Sequence, residues 1–97
     1  MTREELRAAI DVRVARLVAR AAAEQWPIRA DHCFLRIAYD NAVGAKWDTV
    51  VHPPAWRNLP LDRLAAALDL LEAMHDLPQL TGLNETSLAL RRQVRGR

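Results

Sequence analysis

Apolar side chains recur every three or four positions along the first quarter of the chain, which is the spacing of an amphipathic helix. One stripe on a single helical face consists of Leu6, Ile10, Val14, Leu17 and Ala21. Thr2 and Glu5 have the spacing of a capping box at its start, and Pro27 ends the pattern. The sequence therefore predicts a first helix over about residues 3–25.

The same helix carries a second, shallower apolar face, formed by Ala8, Val12, Ala15, Ala19, Ala22 and Ala23. A domain of this size has difficulty covering two apolar faces of one long helix. Two interpretations stay open. The second face binds another protein chain, including a second copy of this one, or its alanines are simply good helix formers that tolerate solvent.

A second helix is predicted over about residues 32–43, with Asp31 as its N-cap and Gly44 just after its C-terminus. Its apolar face consists of Phe34, Ile37, Ala38, Asn41 and Ala42. Arg36 and Asp40 are four residues apart on the other side, so we expect that they can pair.

Residues 45–60 are predicted to form a connector, because Pro53 and Pro54 prevent a continuing helix. The connector also contains Trp47 and Trp56, which we expect to pack it against the core.

Two further helices follow the connector. The third spans about residues 60–76, with Asn58 as a cap, and its apolar stripe is Leu61, Leu64, Ala65, Leu68, Leu71 and Met74. The fourth spans about residues 85–95, with Asn84 as its N-cap. Because no segment alternates apolar and polar residues over the length of a strand, we predict an all-α fold, a single small domain of about four helices.

The 97 residues are enough for one domain with a modest core. Cys33 is the only cysteine, which excludes an internal disulfide and a cysteine-based zinc site. The first 25 residues contain no unbroken apolar run, so we expect no signal peptide, no membrane interaction and a cytoplasmic location.

The net charge of +2 comes from arginine, since Lys46 is the single lysine. Two groups of arginines stand out, Arg13, Arg16 and Arg20 along the first helix and Arg91, Arg92 and Arg95 near the C-terminus. They form either solvated helix faces or, in an alternative interpretation, contacts to the phosphates of a nucleic acid.

The densest group of chemically capable side chains lies on the second helix and just after it: His32, Cys33, Arg36, Tyr39, Asp40, Asn41 and Trp47. His32 and Cys33 are adjacent, so they point in different directions on a helix and do not make a nucleophile and base pair. The three histidines fall on separate predicted elements, and we expect no catalytic set and no metal site. Asn41 lies on an apolar stripe and is expected to hydrogen-bond to the connector. A ligand site in this cluster is the alternative.

A block in the middle of the chain consists of Asp31–Phe34, Arg36–Ala38, Asp40, Asn41, Gly44 and Trp47, followed by Pro54, Ala55 and Leu64. It resembles a family of short uncharacterised prokaryotic proteins that are often labelled as GCN5-related acetyltransferases. The resemblance covers roughly residues 30–90 and implies no established activity. An acetyltransferase needs a central sheet and a glycine-rich loop before a helix. The nearest match to that loop, Gln93–Arg97, is at the C-terminus, so we expect no coenzyme A and no other cofactor.

These patterns lead to three hypotheses. The first is a non-enzymatic helical protein-interaction or regulatory module, with self-association through the first helix. The second is a nucleic-acid-binding regulator that uses the two arginine groups. The third is a small ligand-binding protein or enzyme with its site around residues 32–41.

Overall fold

The structure, a computed structural model, describes residues 1–95. These residues form five α-helices and no strand, which confirms the all-α fold of one small domain. The helices are α1 (Arg3–Ala23), α2 (Asp31–Val43), α3 (Ala55–Asn58), α4 (Leu61–Ala73) and α5 (Leu77–Arg95), and a 3-10 turn (Trp47–Thr49) follows α2.

Helix α2 is the centre of the fold. It packs against α1, α4, α5 and the 3-10 turn, and its side chains Phe34, Ile37 and Ala38 are completely buried. Helix α1 also packs against α4. The molecule measures 36 × 35 × 17 Å, and a helix with its side chains is about 10–12 Å wide. The shortest dimension of the molecule therefore holds no more than two layers of helices. A helix in either layer keeps one side open to solvent.

Two of the predicted helix ends are confirmed. Thr2 and Glu5 form the reciprocal capping box at the start of α1, with hydrogen bonds of 3.1 and 2.8 Å. Gly44 ends α2 with a φ of 70°, in the left-handed region that glycine adopts without strain.

Three predicted caps are wrong, and the first two concern α2 and α4. The N-cap of α2 is Ala30, and Asp31 is the first helical residue, where its carboxylate accepts a 2.6 Å hydrogen bond from the His32 amide. Asn58 does not cap α4, which begins after Pro60. It ends the short helix α3, which the two prolines of the connector had concealed in the sequence.

Helix α5 begins at Leu77, eight residues before the predicted start. The side chain of Asp76 accepts a 2.9 Å hydrogen bond from the Gln79 amide and thus caps the helix in place of Asn84. Pro78 lies in the first turn, where a missing N–H is tolerated. Asn84 is instead inside the helix, and its side chain faces α2.

Four arginines donate hydrogen bonds to backbone carbonyls at or just beyond helix C-termini, where unpaired carbonyls attract cations. The pairs are Arg3 with Trp56 and Leu59, Arg13 with Leu71 and Glu72, Arg20 with His75, and Arg63 with Ala42. Two of these arginines join α1 to the end of α4. Much of the arginine in this chain therefore holds helices together.

Candidate interaction face and ligand cavity

The outer side of α1 is a ridge of small apolar side chains that the rest of residues 1–95 leaves exposed. We define the α1 ridge as Ala8, Val12, Ala15, Ala19 and Ala22, all of which are exposed. Val12 is the one large apolar residue of the ridge, and 53% of its surface is accessible. Ala23, the sixth residue of the predicted second face, is also exposed. The first predicted stripe, from Leu6 to Ala21, is buried in the core as expected.

A shallow groove runs along each side of the α1 ridge. The Asp11 groove has a volume of about 500 Å³ and is lined by Asp11, Val14, Ala15, Val18, Arg29, Ala30, Asp31 and Leu35. The Arg16 groove has a volume of about 360 Å³ and is lined by Ala8, Ala9, Val12, Arg13, Arg16 and Glu72. The first contains two carboxylates and one guanidinium, and the second contains two guanidinium groups and one carboxylate. The two edges of the ridge therefore carry opposite net charge.

Asp40 is completely buried and is the centre of a polar network between α2 and α5. Its Oδ2 accepts hydrogen bonds from Ser87 Oγ at 2.6 Å and from Arg91 Nε at 2.7 Å. Its Oδ1 accepts from Arg91 Nη2 at 3.2 Å and from the Trp47 amide at 3.0 Å. One carboxylate thus attaches both α5 and the 3-10 turn to α2.

Arg36 does not pair with Asp40, contrary to the prediction from their spacing. It donates to Ser87 Oγ at 2.7 Å and to Asn84 Oδ1 at 2.8 Å. Packing of α5 against α2 brings Arg91 to the carboxylate instead.

The predicted partner of Asn41 is also wrong. Its amide donates to the carbonyls of Ile37 at 2.8 Å and Leu83 at 3.0 Å, so Asn41 bonds its own helix and α5. Asp40 is the neighbouring α2 side chain that does bond the connector, by accepting a hydrogen bond from the Trp47 amide.

An aromatic cavity of about 290 Å³ lies where α2 meets the connector. It is lined by His32, Leu35, Arg36, Tyr39, Trp47, Pro54, Ala55 and Trp56. Tyr39 and Trp47 pack edge to face with ring centroids 5.7 Å apart. The Arg7 guanidinium lies 3.9 Å from the centroid of the Trp56 ring. The connector is thus packed against the core by its tryptophans, and four residues of the predicted cluster line one cavity.

Tyr39 is buried and has a perturbed hydroxyl. Burial raises the pKa of Tyr39 from 10.0 to about 12, because a phenolate is poorly solvated there. The Asp11 carboxylate raises this pKa further, and the Arg7 guanidinium lowers it. The side chain therefore stays a neutral phenol at ordinary pH.

His32 and Cys33 are not brought into a shared reactive arrangement. His32 is exposed, and its Nδ1 lies 3.5 Å from a carboxylate oxygen of Asp31. Cys33 is a free, partly buried thiol. Within residues 1–95 no three histidine, cysteine or carboxylate side chains converge in a way that would hold a metal ion.

Of the six arginines predicted as nucleic-acid contacts, three have guanidinium groups that bond other parts of the protein. The guanidinium groups of Arg13 and Arg20 bond the C-terminal end of α4, and that of Arg91 bonds Asp40. Arg16 and Arg92 are exposed. Arg95 is the last residue of α5.

Sequence reasoning missed Asn84 and Ser87, which are the partners of the α2 polar residues. Ser87 is completely buried, and with Asn84 and Arg91 it lies at positions i, i+3 and i+7, on one face of α5. This spacing of three polar residues on one helical face can be recognised in the sequence. The predicted helix start at Asn84 concealed this spacing, and Arg91 was assigned either to a solvated helix face or to phosphate contacts.

Comparison of the chain with protein-family models, with curated proteins and with solved structures gives no match. No helix within residues 1–95 is long and apolar enough to cross a bilayer.

Proposed function

We propose that this chain is a protein-interaction module that self-associates as a parallel dimer through the α1 ridge. The observation that carries the proposal is the combination of an exposed apolar ridge with edges of opposite charge. Asp11 lies at one edge and Arg16 at the other, and each is exposed.

The spacing of the ridge supports helix-to-helix packing. Its residues, numbers 8, 12, 15, 19 and 22, are separated alternately by four and three positions, as the core positions of a two-stranded coiled coil are. The stretch from Ala8 to Ala22 covers about four helical turns. Since the interaxial distance depends on the side chains at the contact, four alanines and one valine favour a close approach of two α1 helices.

The charges favour a parallel arrangement. In a parallel pair each edge of one ridge faces the opposite edge of its partner, so Asp11 faces Arg16 twice across the two-fold axis. In an antiparallel pair each edge faces its own copy, which places the acidic edge against the acidic edge and the basic edge against the basic edge. Like charges in such positions are unfavourable, and they select against that orientation.

Sedimentation equilibrium over a range of concentrations tests the proposal. We expect the wild-type mass to rise with concentration from 11.0 kDa towards twice that value. Val12→Arg should remain a monomer, because it places two unpaired cations at the centre of the contact.

Val50→Arg is the matched control. Val50 is as exposed as Val12, with 54% against 53% of its surface accessible, but it lies in the connector after the 3-10 turn. The Val50→Arg protein should self-associate like the wild type. A strictly monomeric wild-type protein, or equal effects of the two substitutions, would show that the ridge is an ordinary solvated helix face.

A further inference from the structure

The aromatic cavity contains a cation whose charge is not balanced by a carboxylate. Arg36 is half-buried at the wall of the cavity, and its two described hydrogen bonds go to the neutral oxygens of Ser87 and Asn84. The neighbouring carboxylate of Asp40 is taken by Arg91. Within residues 1–95 Arg36 has no carboxylate oxygen within 4.0 Å, so the network leaves a net positive charge beside the cavity.

Arg36 also keeps hydrogen-bonding capacity. A guanidinium has five N–H donors, and two of these are used by Ser87 and Asn84. The remaining donors suit a carboxylate, which guanidinium groups bind through paired, charge-assisted hydrogen bonds. The Ser87 and Asn84 contacts hold the side chain in one place, so little conformational freedom is lost when an anion binds.

The other walls of the cavity suit a flat, apolar body. Tyr39, Trp47 and Trp56 supply three aromatic rings, and Leu35, Pro54 and Ala55 supply aliphatic surface. Aromatic rings pack favourably against one another in stacked or edge-on geometry. Cavities that combine apolar walls with one fixed polar group are typical of small-ligand sites, and 290 Å³ is at the lower limit of their volume.

We propose that the aromatic cavity binds a small aromatic carboxylate, with its ring among Tyr39, Trp47 and Trp56 and its carboxylate on Arg36. The cavity shares Leu35 with the Asp11 groove, but none of the residues that line it belongs to α1, and the variants that test the two proposals lie at different positions. Loss of ligand binding and loss of self-association are therefore distinguishable outcomes.

Two-dimensional NMR of the tryptophan indole N–H groups tests the proposal on the intact wild-type protein. Benzoate is the probe. The chain has three tryptophans, of which Trp47 and Trp56 line the cavity, whereas Trp26 is buried and is not one of its lining residues. We expect the Trp47 and Trp56 signals to shift in a saturable way while the Trp26 signal stays in place.

Two related probes separate the parts of the proposed ligand. Benzamide has the ring without the charge, and acetate has the charge without the ring. Each should bind at least tenfold more weakly than benzoate, a difference of about 1.4 kcal/mol. If benzamide binds as tightly as benzoate, Arg36 does not recognise the carboxylate. If acetate binds as tightly as benzoate, the aromatic walls do not contribute to binding.

Variants supply the second line of evidence. Arg36→Met should abolish saturable benzoate binding, but it also removes the bonds to Ser87 and Asn84 and can weaken the fold. Trp56→Leu leaves the bonds of Arg36 to Ser87 and Asn84 intact. It should lower benzoate affinity about tenfold, because the benzoate ring can no longer stack on the Trp56 indole. An unchanged affinity in a folded Trp56→Leu protein, or no saturable shift in the wild type, would overturn the proposal.

Discussion

Asp40 and Arg91 form a two-pronged ion pair that joins α2 to α5, with Nε to Oδ2 at 2.7 Å and Nη2 to Oδ1 at 3.2 Å. The carboxylate is completely buried, whereas 23% of the arginine side chain remains accessible. Every one of the bonds that hold this carboxylate comes from outside α2. The pair therefore sets the position of the last helix relative to the centre of the fold.

Asp40→Asn should destabilise the protein by about 3 kcal/mol, because it leaves the Arg91 guanidinium facing an amide in a desolvated position. Urea unfolding followed by circular dichroism measures the change in the free energy of unfolding. Asp69→Asn, on the exposed face of α4, is the matched control and should change it by less than about 0.5 kcal/mol. Equal effects of the two substitutions would contradict the role given to Asp40.

Ser87→Ala tests the bridge between Arg36 and Asp40. The hydroxyl donates to Asp40 and accepts from Arg36, so its removal leaves both charged groups short of a partner. We expect a loss of about 1–2 kcal/mol in the free energy of unfolding. Thr86→Ala, one residue away and exposed, should be close to neutral. A neutral Ser87→Ala would mean that water replaces the hydroxyl without cost.

The sequence predicted the helical class because long stripes of apolar residues follow the helical period, as in α1 and α4. It failed where local signals competed. The last helix was predicted to begin near residue 85, but Pro78 lies in its first turn and the Asp76 cap sets its start at Leu77. The helix α3 is one turn long, which is too short for a periodic pattern to identify it.

The candidate site was predicted in part. The residues of α2 were identified because polar and aromatic side chains cluster there, but their partners were not. The bond between Asp40 and Arg91 spans 51 positions in the sequence, and only the packing of α5 decides which cation reaches the carboxylate. Local spacing favoured Arg36, which is four residues from Asp40. The net negative charge of the Asp11 groove likewise depends on Asp31, which comes from α2 and not from α1.

Tyr39 gives a prediction about pH. Its pKa in the folded protein is raised to about 12 from 10.0, so the unfolded chain loses the proton first as the pH rises. Stability should therefore fall between about pH 10 and pH 12, by roughly 1.4 kcal/mol per pH unit. Tyr39 is the only tyrosine, so absorbance of the phenolate reports its titration directly.

Comparison with Tyr39→Phe isolates this contribution from the other groups that titrate at high pH. The free energy of unfolding of the wild type minus that of Tyr39→Phe should decrease as the pH rises from about 10 to about 12. A phenolate midpoint near 10 in the folded protein would show that the hydroxyl is hydrated.

Disulfide trapping tests the orientation of the proposed dimer. In a Cys33→Ser background, Ala8→Cys and Ala19→Cys should each form a disulfide with their own copy, because identical ridge positions face each other in a parallel pair. The two sites are about 16 Å apart along the helix, so an antiparallel pair brings no more than one of them to its own copy. Thr81→Cys, exposed on α5, is the control that should stay monomeric under the same oxidation.

The most direct test of the central claim is a mixing experiment with two charge-reversed proteins, Asp11→Arg and Arg16→Asp. Each variant alone places like charges at both edges of the α1 ridge, and each should be monomeric by light scattering at concentrations where the wild type is dimeric. An equimolar mixture restores an opposite charge at both edges and should form a dimer with one copy of each variant. A mixture that stays monomeric, or either variant forming dimers as strong as the wild type, would contradict self-association through this ridge.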